Sequence, residues 1–523
     1  MSLFKTDKKE IALNNETISK LPNSITRPAY DRSKVTTGIV HFGLGNFYRA
    51  HLCVYLDRLL QAGGHDHWGI TGVEVIANTV NQQKMKDYAA QNNLYTLTNF
   101  KEDGTHKAHL IGTLCDYLYA PEDGEKVLKV LTAPETKIVS LTITEGGYNI
   151  DATSGAFRLE HPDVKHDLQN PQNPKTVFGF VVEALARRRA AGLLPFTVMS
   201  CDNVMHNGKA AFKAFTSFAK ARDEELAQWI EKDVAFPNSM VDRITPTLSQ
   251  ERKEYVNKLN GINDLVPVLA EEFLQWVLED NFSNGRPDFD KVGVQLISGI
   301  SVNGGIYASG SNPQEAGSAP VIDGFEHVKL RVLNSTHSIL GTSGMLENID
   351  YIDQTLEKKA IKDFVMAVLE KDVLPTIKAP QGVNLKQYAR VTVERFTNPA
   401  LGDTCSRIAG DSVSKVNVFW AETVKNALTG CTEIKRVEVM CALLLEYLRG
   451  RRCNGEVYAL NEPALSPAQM EIAKNGSQDE GFSLPCFDAV RGYLTAEFKE
   501  KVNAYRGQIR SKGVFAVMTS VLS

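Results

Sequence analysis

A pair of glycines between a short apolar run and an amphipathic run limits what this chain can fold into. Residues 38–42, Gly-Ile-Val-His-Phe, have the apolar and β-branched character of a short buried strand. Gly43-Leu44-Gly45 follows directly, and leucines then recur at helical spacing, at positions 52, 56, 59 and 60. This order is typical of a Rossmann-like dinucleotide-binding unit, in which Gly43 permits the tight turn and Gly45 lets a pyrophosphate approach the backbone. Phe47 and Tyr48 stand where a third glycine is usual, so a purely structural turn is the alternative.

The second predicted strand, residues 68–75, bears on which dinucleotide the sequence favours. In such a unit an acidic residue near the end of this strand takes the 2′-hydroxyl of the adenosine ribose. Glu74 is the nearest candidate, although its side chain could face the core instead. Neither Arg nor Lys occurs between Thr71 and Gln83, so a cationic site for the 2′-phosphate of NADP is not evident. The sequence therefore favours NAD as cofactor without excluding NADP.

Strand-like and helical runs then alternate, which predicts a mostly parallel sheet with helices on both faces. Further strands are predicted at residues 137–144, 196–201 and 292–297, and a helix at residues 177–191. Polar segments follow two of these strands, at residues 144–148 and 201–208. Ligands bind beyond the carboxyl ends of strands in open α/β sheets, so both segments are candidate sites. Hydrogen-bonded turns are the alternative, because Asn, Asp and Gly favour turns.

Composition predicts three regions along the chain. Residues 1–300 form an α/β domain that begins with an extended arm, residues 301–320 form a Gly- and Ser-rich inserted loop, and residues 321–523 form a mainly α-helical domain. The fold class is therefore α/β, a Rossmann-like domain with a mostly parallel sheet followed by a helical domain. Helical apolar spacing in the third region occurs at residues 363–370, 437–448 and 487–505.

Residues 324–341 place three chemically useful side chains on one predicted helix. At about 100° per residue, Asn334 lies roughly 140° and His337 roughly 80° round the helix axis from Lys329, so all three fit one broad face. A lysine whose pKa is lowered by burial can act as a general base, and an amide can donate to an oxyanion. A histidine can orient the other groups or relay a proton. The alternative is an amphipathic surface helix with an ordinary polar side.

Charge and composition argue against several classes of function. The net charge of −4 gives no reason to expect nucleic acid or a membrane surface as a partner. No apolar run approaches the roughly 20 residues of a membrane-spanning helix. The eight cysteines form no Cys-x-x-Cys pair, and His65 and His67 lack a second ligand group at a recognisable spacing, so no metal site is predicted. Without an apolar secretory stretch at the N-terminus, a cytoplasmic location is expected.

These stretches together resemble one family, the polyol-specific long-chain dehydrogenases of the mannitol dehydrogenase type, over nearly the whole chain. The resemblance rests on five segments: G-I-V-H-F-G-L-G-N-F-Y-R-A-H, S-L-T-I-T-E-G-G-Y, P-F-T-V-M-S-C-D-N, F-P-N-S-M-V-D-R-I-T-P and the Lys-x4-Asn-x2-His pattern of the helix. The fourth segment and the helix pattern are the most diagnostic of the family.

The resemblance implies catalytic roles for five residues. Lys329 resembles the catalytic lysine, the base in alcohol oxidation and the acid in ketone reduction, and its pKa must then fall by roughly two units from about 10.4. Asn203 and Asn334 resemble the amides that hold the reacting oxygen. His337 resembles the group that positions substrate and lysine, and Glu326 a gate on the proton path.

Further residues match the family's binding contacts. Arg407 and Lys415 match contacts to substrate hydroxyls, although a solvated basic loop is the alternative for both, and Asp242 matches a polar residue near the substrate. The implied cofactor contacts are Phe42, Gly43, Gly45, Asn46, Phe47, Arg49, Glu74 and Glu145. The sequence departs from the family in the inserted residues 301–320, expected to lie outside the site, and in lacking a clear acidic NAD-selecting residue between Glu74 and Gln83.

The resemblance implies a metal-independent, monomeric enzyme that transfers a hydride reversibly between D-mannitol and NAD, giving D-fructose and NADH. Within the same family, a fructuronate or tagaturonate reductase and an arabinitol dehydrogenase remain open. A different class, a non-catalytic dinucleotide-binding regulatory protein, also remains open, although Lys329, Asn334 and Asn203 are all present.

Overall fold

The computed structural model of the 523-residue chain describes residues 10–151, 154–297, 299–302, 305–308, 321–380 and 382–522. They form two compact units. Unit 1 comprises the described residues of Met1–Phe100 and His106–Asp323, and unit 2 comprises those of Lys101–Thr105 and Gly324–Ser523. The border between Asp323 and Gly324 lies three residues beyond the start predicted for the helical domain.

The strands of the described residues all belong to unit 1. In chain order they are β1 Ile11–Ala12, β2 Ile25–Thr26, β3 Thr37–Phe42, β4 Gly69–Glu74, β5 Tyr95–Phe100, β6 His106–Ile111, β7 Leu114–Tyr119, β8 Ile138–Leu141, β9 Thr197–Ser200, β10 Ser239–Asp242, β11 Ile262–Asn263, β12 Val268–Glu271, β13 Gln275–Glu279, β14 Gln295–Ile297, β15 Gly299–Val302 and β16 Gly305–Ala308.

The first ten helices also lie in unit 1. They are α1 Asn46–Ala50, α2 Leu52–Ala62, α3 Thr79–Ala90, α4 Gly124–Thr132, α5 Thr144–Gly147, α6 Pro162–Gln169, α7 Val177–Ala190, α8 Asn207–Arg222, α9 Glu224–Asp233 and α10 Gln250–Asn260.

A five-stranded parallel sheet in the order β7-β4-β3-β8-β9 forms the centre of unit 1. The middle strand, β3, is buried on both faces, as its apolar run predicts. Val40 and Phe42 pack into the core formed with α4, α7 and α8, and Ile39 packs into the opposite core with α2. The predicted Rossmann-like parallel sheet is therefore confirmed.

Three details of unit 1 differ from the sequence prediction. The strand predicted at residues 292–297 shortens to β14, which pairs with β13 in a separate sheet, β10-β13-β14, in which β10 and β13 are antiparallel. The predicted extended arm contains two short strands within its described residues 10–36, because β1 pairs with β11 and β2 with β6. Within the predicted loop 301–320, β15 and β16 pair antiparallel, and residues 303–304 and 309–320 lie outside the described residues.

Helix α11, Val321–Val328, leads from unit 1 into unit 2, whose regular elements are helical throughout its described residues. This confirms the predicted mainly α-helical domain. The helices that follow are α12 Ser335–Glu347, α13 Ile352–Leu356, α14 Lys359–Ala367, α15 Leu385–Phe396, α16 Cys405–Ala409, α17 Ser412–Phe419, α18 Ala421–Leu428, α19 Lys435–Tyr447, α20 Pro467–Asn475, α21 Ala496–Lys512 and α22 Val514–Ser520.

The helix predicted at residues 487–505 begins later, with α21. Thr495 is its N-cap, and its side-chain oxygen accepts a hydrogen bond from the backbone N–H of Phe498 at 3.1 Å, which satisfies one otherwise unpaired donor. Short 3₁₀ turns precede it at Pro485–Phe487 and Arg491–Tyr493. No helix within the described ranges combines the length and the apolar character needed to cross a membrane.

Candidate active site

The turn between β3 and α1 leaves its first glycine no room for a side chain. Gly43 has a φ of +94°, and a Cβ atom there would lie 2.0 Å from the carbonyl oxygen of Thr142, at the end of the neighbouring strand β8. At Gly45 the φ is −77°, and a Cβ atom would meet no atom of the described residues within 4 Å. The fold itself therefore needs Gly43, whereas the open space at Gly45 lets a ligand approach the backbone.

His41 holds this turn from inside the sheet. Its Nδ1 lies 2.7 Å from the hydroxyl of Ser140, and its Nε2 lies 3.1 Å from the carbonyl oxygen of Gly43 and 2.9 Å from the hydroxyl of Thr142. That hydroxyl in turn donates to the Gly43 carbonyl at 2.7 Å. Burial lowers the pKa of His41 to about 3, so the imidazole is neutral at physiological pH, and a proton on Nε2 matches a carbonyl that can only accept.

A cavity of about 970 Å³ opens beside this turn at the carboxyl ends of β3, β4 and β8. Four predicted cofactor residues line it: Phe42, Gly43, Gly45 and Glu74. Its size is at the upper end of the range for small-molecule sites, and it lies where open α/β sheets bind dinucleotides. The residues present therefore fit an extended dinucleotide.

Three other predicted cofactor residues lie outside the lining of this cavity. Arg49 is buried and donates to the carbonyl of Val266 and to the side chain of Asn46, both at 2.5 Å. Asn46 also donates to the carbonyl of Pro246 at 3.1 Å. Phe47 stacks on His51 with ring centroids 4.9 Å apart. Their cofactor roles stay predictions, and the side chain of Glu145 lies outside what the structure describes.

Lys84, on α3, lines the same cavity and is a cation that the sequence pattern did not indicate. It lies one residue beyond the interval from Thr71 to Gln83 in which no cation occurs. Its ammonium group donates to the carbonyl of Leu44, the middle residue of the glycine turn. Burial, and to a smaller extent Arg49, lower the pKa of Lys84 to about 8, while Glu74 opposes that shift. The sequence alone does not show which face of α3 lies against the glycine turn, so it does not show that Lys84 reaches Leu44.

Asp202, in the polar segment after β9, fixes the other polar segment, the turn after β8. Its carboxylate accepts the backbone N–H groups of Ile143 at 3.1 Å and Thr144 at 2.8 Å, and the hydroxyl of Tyr148 at 2.7 Å. Thr144 has a φ of +65°, a conformation that costs a β-branched residue energy unless its surroundings hold it. Burial and the charge of Asp202 raise the pKa of Tyr148 well above its ordinary value, so this hydroxyl remains a donor. Asp202 thus shapes the cavity wall at Ile143 and Thr144.

Two predicted catalytic and substrate residues belong to unit 1. Asn203 follows Asp202 directly and is exposed, and Asp242 is buried at the end of β10. The neighbouring Arg243 is also buried. Its guanidinium donates to the carbonyl of Glu271 at 3.0 and 2.6 Å and to the side chain of Asn99 at 2.6 Å, which ties three strands together.

The predicted helix at residues 324–341 is interrupted by a π-helical turn, Lys329–Asn334, between α11 and α12. The N–H of Ser335 accordingly donates to the carbonyl of Leu330, five residues earlier. Residues five apart, such as Lys329 and Asn334, replace residues four apart as neighbours in a π turn, so the predicted separation of roughly 140° is wrong. Lys329 is 7% exposed, Asn334 is 8% exposed and Glu326 is 4% exposed, so the surface-helix alternative is excluded.

Asp403, which the sequence reasoning missed, joins two predicted site residues of unit 2. Arg407 donates to both of its carboxylate oxygens, at 2.7 and 2.6 Å, and Nε2 of His337 lies 3.4 Å away. Burial alone would raise the pKa of Asp403, but His337 and Arg407 hold it well below its ordinary value. Burial also lowers the pKa of His337, against the pull of Asp403, and the ring stacks on Phe396.

Lys415, the other predicted basic residue, lies on α17. Its ammonium group donates to the carbonyl of Gly410 at 2.6 Å and to that of Ile408 at 3.3 Å, at the end of α16. A cation is favourable there because the last carbonyl groups of a helix carry partial negative charge. Contacts of Lys415 and Arg407 with substrate hydroxyls stay predictions.

Two family models match this chain in succession. The mannitol dehydrogenase Rossmann domain matches residues 37–291, and the mannitol dehydrogenase C-terminal domain matches residues 321–482.

A polyol:NADP oxidoreductase of Gluconobacter oxydans is 45% identical over 97% of this chain and 99% of its own length. A crystal structure of D-sorbitol dehydrogenase in substrate-free form superposes with a TM-score of 0.84 at 43% identity, over 97% of this chain and 100% of that one. The Pseudomonas fluorescens mannitol 2-dehydrogenase, in a ternary complex with NAD and D-mannitol, superposes with a TM-score of 0.85 at 33% identity, over 98% and 99%.

Replacing Asp202 by asparagine tests how the cavity wall is held. Asp202→Asn removes a charge that accepts three hydrogen bonds, and such bonds are worth about 1.5–3 kcal/mol each. We expect the dissociation constant for NADH, measured by fluorescence titration, to rise about 10- to 100-fold while the circular dichroism spectrum is retained. Asp123→Asn is the matched control, because Asp123 is exposed and accepts one backbone N–H at the start of α4. Equal affinities in the two variants would contradict this role.

Proposed function

The chain belongs to the mannitol dehydrogenase family, and from this premise we propose that it is a mannitol 2-dehydrogenase. It transfers a hydride reversibly between C2 of D-mannitol and NAD, giving D-fructose and NADH. That it is an enzyme of the polyol dehydrogenase family follows from the two domain matches and from relatives covered over nearly their full length. The choice of D-mannitol and NAD is the proposal.

The observation that carries the proposal is the burial of Lys329 at the start of the π turn. This lysine lies within residues 321–482, the segment matched by the mannitol dehydrogenase C-terminal domain. Burial of a lysine disfavours its charged ammonium form, because the charge is removed from water. Lys329 is therefore suited to exchange a proton with a substrate hydroxyl.

The reaction balances with Lys329 as the proton acceptor. In oxidation the alcohol loses its hydroxyl proton to the neutral amine of Lys329, which becomes an ammonium group, and the C–H bond at C2 breaks. The bound nicotinamide supplies the acceptor for that hydride. In ketone reduction Lys329 returns the proton to the oxygen. A positioned acid or base of this kind contributes about 10²- to 10⁴-fold to the rate.

The amides and the remaining polar groups support that transfer. Asn203 and Asn334 donate N–H groups to the reacting oxygen as it becomes alkoxide-like, a type of contact worth about 2.7–4 kcal/mol. His337, kept neutral by burial and held beside Asp403, orients the substrate. Glu326, which precedes Lys329 by three residues on the same helix face, passes the proton to and from solvent.

A second candidate is an NADP-dependent oxidoreductase acting on D-sorbitol. The relatives that favour it are named polyol:NADP oxidoreductase and D-sorbitol dehydrogenase, at 45% and 43% identity. Both candidates give D-fructose when the alcohol is oxidised at C2, and they differ in the configuration of that carbon. The product of fructose reduction therefore separates them.

We also propose that the enzyme needs no metal, acts as a monomer and works in the cytoplasm. For the location, the support is that all eight cysteines are free thiols, as expected in a reducing compartment. For metal independence, the support is the lysine itself, since a positioned lysine can take the hydroxyl proton without the Lewis acid that otherwise polarises the alcohol oxygen.

The proposed function is tested by the initial rate of NADH oxidation with D-fructose in the presence of EDTA, followed by analysis of the alcohol formed. We expect turnover that EDTA leaves unchanged and a product that is D-mannitol. D-sorbitol as product, or faster turnover with NADPH, would favour the second candidate. Turnover with fructuronate alone would move the enzyme to the hexuronate reductases, and NADH binding without turnover of any ketose would favour the regulatory protein.

Lys329→Met tests the mechanism in the same assay. We expect kcat to fall by about 10²- to 10⁴-fold while the dissociation constant for NADH stays within threefold, because the variant loses only the proton carrier. Lys359→Met is the matched control, since Lys359 is an exposed lysine of the same unit. Loss of activity in wild type with EDTA, restored by Zn²⁺, would contradict the lysine mechanism.

Asp403→Asn tests the link between His337 and Arg407. The substitution removes the charge that both groups contact, so we expect kcat/KM for D-fructose to fall about 10- to 100-fold with the fold retained. Asp363→Asn is the control, because Asp363 also pairs with a basic residue at i,i+4 spacing but lies at the surface, where such pairs are worth about 0.3–0.5 kcal/mol. If both variants retain the kcat/KM of wild type for D-fructose, Asp403 does not position His337.

A further inference from the structure

Lys84 occupies an unusual position for a lysine of a helix surface. It lies in the second turn of α3, and its side chain reaches back to the glycine turn, where its ammonium donates to the carbonyl of Leu44. It lines the cavity together with Gly43 and Gly45. The next lysine on the helix, Lys86, is exposed and does not line the cavity. Of these two lysines of α3, Lys84 alone is placed to contact a ligand in the cavity.

Glu74 provides the opposite charge at the same end of the cavity. It is the last residue of β4, it is 7% exposed, and its Oε1 accepts the backbone N–H of Ile76 at 3.0 Å. Asn81, from the first turn of α3, also lines the cavity and donates to the carbonyl of Ile76 at 3.1 Å. The carboxylate of Glu74, the amide of Asn81 and the ammonium group of Lys84 thus line the cavity at the end of β4.

This end of the cavity is where the adenosine ribose of a dinucleotide binds in Rossmann-like units. Ile76 lines the cavity and is 62% exposed, so it supplies an apolar surface there. Such a surface can cover an adenine ring, because large apolar side chains gain from losing contact with water. The polar groups around it are therefore placed to contact the ribose of a bound dinucleotide.

We propose that Lys84 selects the cofactor, its ammonium group binding the phosphate on the ribose 2′-oxygen so that the protein accepts NADP(H) as well as NAD(H). This inference rests on the proposed dinucleotide-dependent function. Glu74 alone would accept hydrogen bonds from a free ribose diol and would repel a 2′-phosphate. Lys84 offsets that repulsion and adds a direct cation–phosphate contact. An ammonium group is a compact cation on a flexible stem, so it can leave the Leu44 carbonyl for a phosphate.

A purely structural role for Lys84 predicts a different outcome. If the ammonium only braced the glycine turn through Leu44, its loss would weaken NADH and NADPH binding equally, because both dinucleotides share the pyrophosphate. If it binds the 2′-phosphate, only the phosphorylated dinucleotide loses affinity. The ratio of the two dissociation constants therefore separates the two roles.

The experiment is a fluorescence titration of the full-length protein with NADH and with NADPH, without substrate. The variants are Lys84→Met and Lys84→Arg, with Lys86→Met as the matched control on the same helix. Glu74→Gln removes the carboxylate that would repel a 2′-phosphate. Titration calorimetry with adenosine 2′,5′-bisphosphate and with AMP, which differ only in the 2′-phosphate, repeats the comparison without the nicotinamide. Because these readouts are binding constants, they do not depend on which polyol is the substrate.

We expect wild type to bind both dinucleotides, and Lys84→Met to raise the dissociation constant for NADPH at least tenfold while that for NADH changes less than threefold. Lys84→Arg keeps the charge and should retain NADPH binding, Lys86→Met should change neither constant, and Glu74→Gln should shift the preference towards NADPH. An equal loss for both dinucleotides in Lys84→Met, or wild-type binding of NADH without NADPH, would overturn the inference and leave the proposed function intact. Binding of neither dinucleotide by wild type would overturn both.

Discussion

The close approach of two backbone segments, Gly43 and Thr142, is the constraint on which unit 1 depends. A Cβ atom at Gly43 would lie 2.0 Å from the Thr142 carbonyl, so the turn after β3 and the turn after β8 can meet only if position 43 is glycine. His41 joins the two turns through its contacts with Gly43 and Thr142. Asp202 holds the residues that follow Thr142. The cavity wall is thus set by hydrogen bonds between neighbouring strand ends, which a parallel sheet brings to one edge.

Unit 2 positions its polar groups by a different device, a local change of helix geometry. The π turn at Lys329–Asn334 brings residues five apart into the same neighbourhood without breaking the helix. The buried carboxylate of Asp403 accepts from the Arg407 guanidinium and lies beside the His337 imidazole. These two groups keep the carboxylate charged by lowering its pKa. Ionisable groups with perturbed pKa values cluster at functional sites, which agrees with the acid and base work proposed for this helix.

Much of the fold could be predicted because local patterns specify it. The apolar run before Gly43 and the leucines of α2 define a strand, a turn and a helix without distant information. The π turn could not be predicted, because its apolar spacing still fits a continuous α-helix. Asp202 and Asp403 act through residues 58 and 66 positions away in the chain, so only tertiary structure reveals them. Similarly, β14 satisfies a strand pattern, but its partner β13 is set by long-range pairing.

Gly45 provides the most direct test that a dinucleotide passes over the glycine turn. Because a methyl group at Gly45 meets no described atom within 4 Å, Gly45→Ala should leave the free energy of unfolding within about 1 kcal/mol of wild type. The decisive measurement is the dissociation constant of Gly45→Ala for NADH, alongside urea unfolding of the same protein. The account predicts a rise of at least tenfold with unchanged stability, because the methyl group occupies the space of the pyrophosphate. Wild-type affinity in a stable Gly45→Ala protein would contradict it.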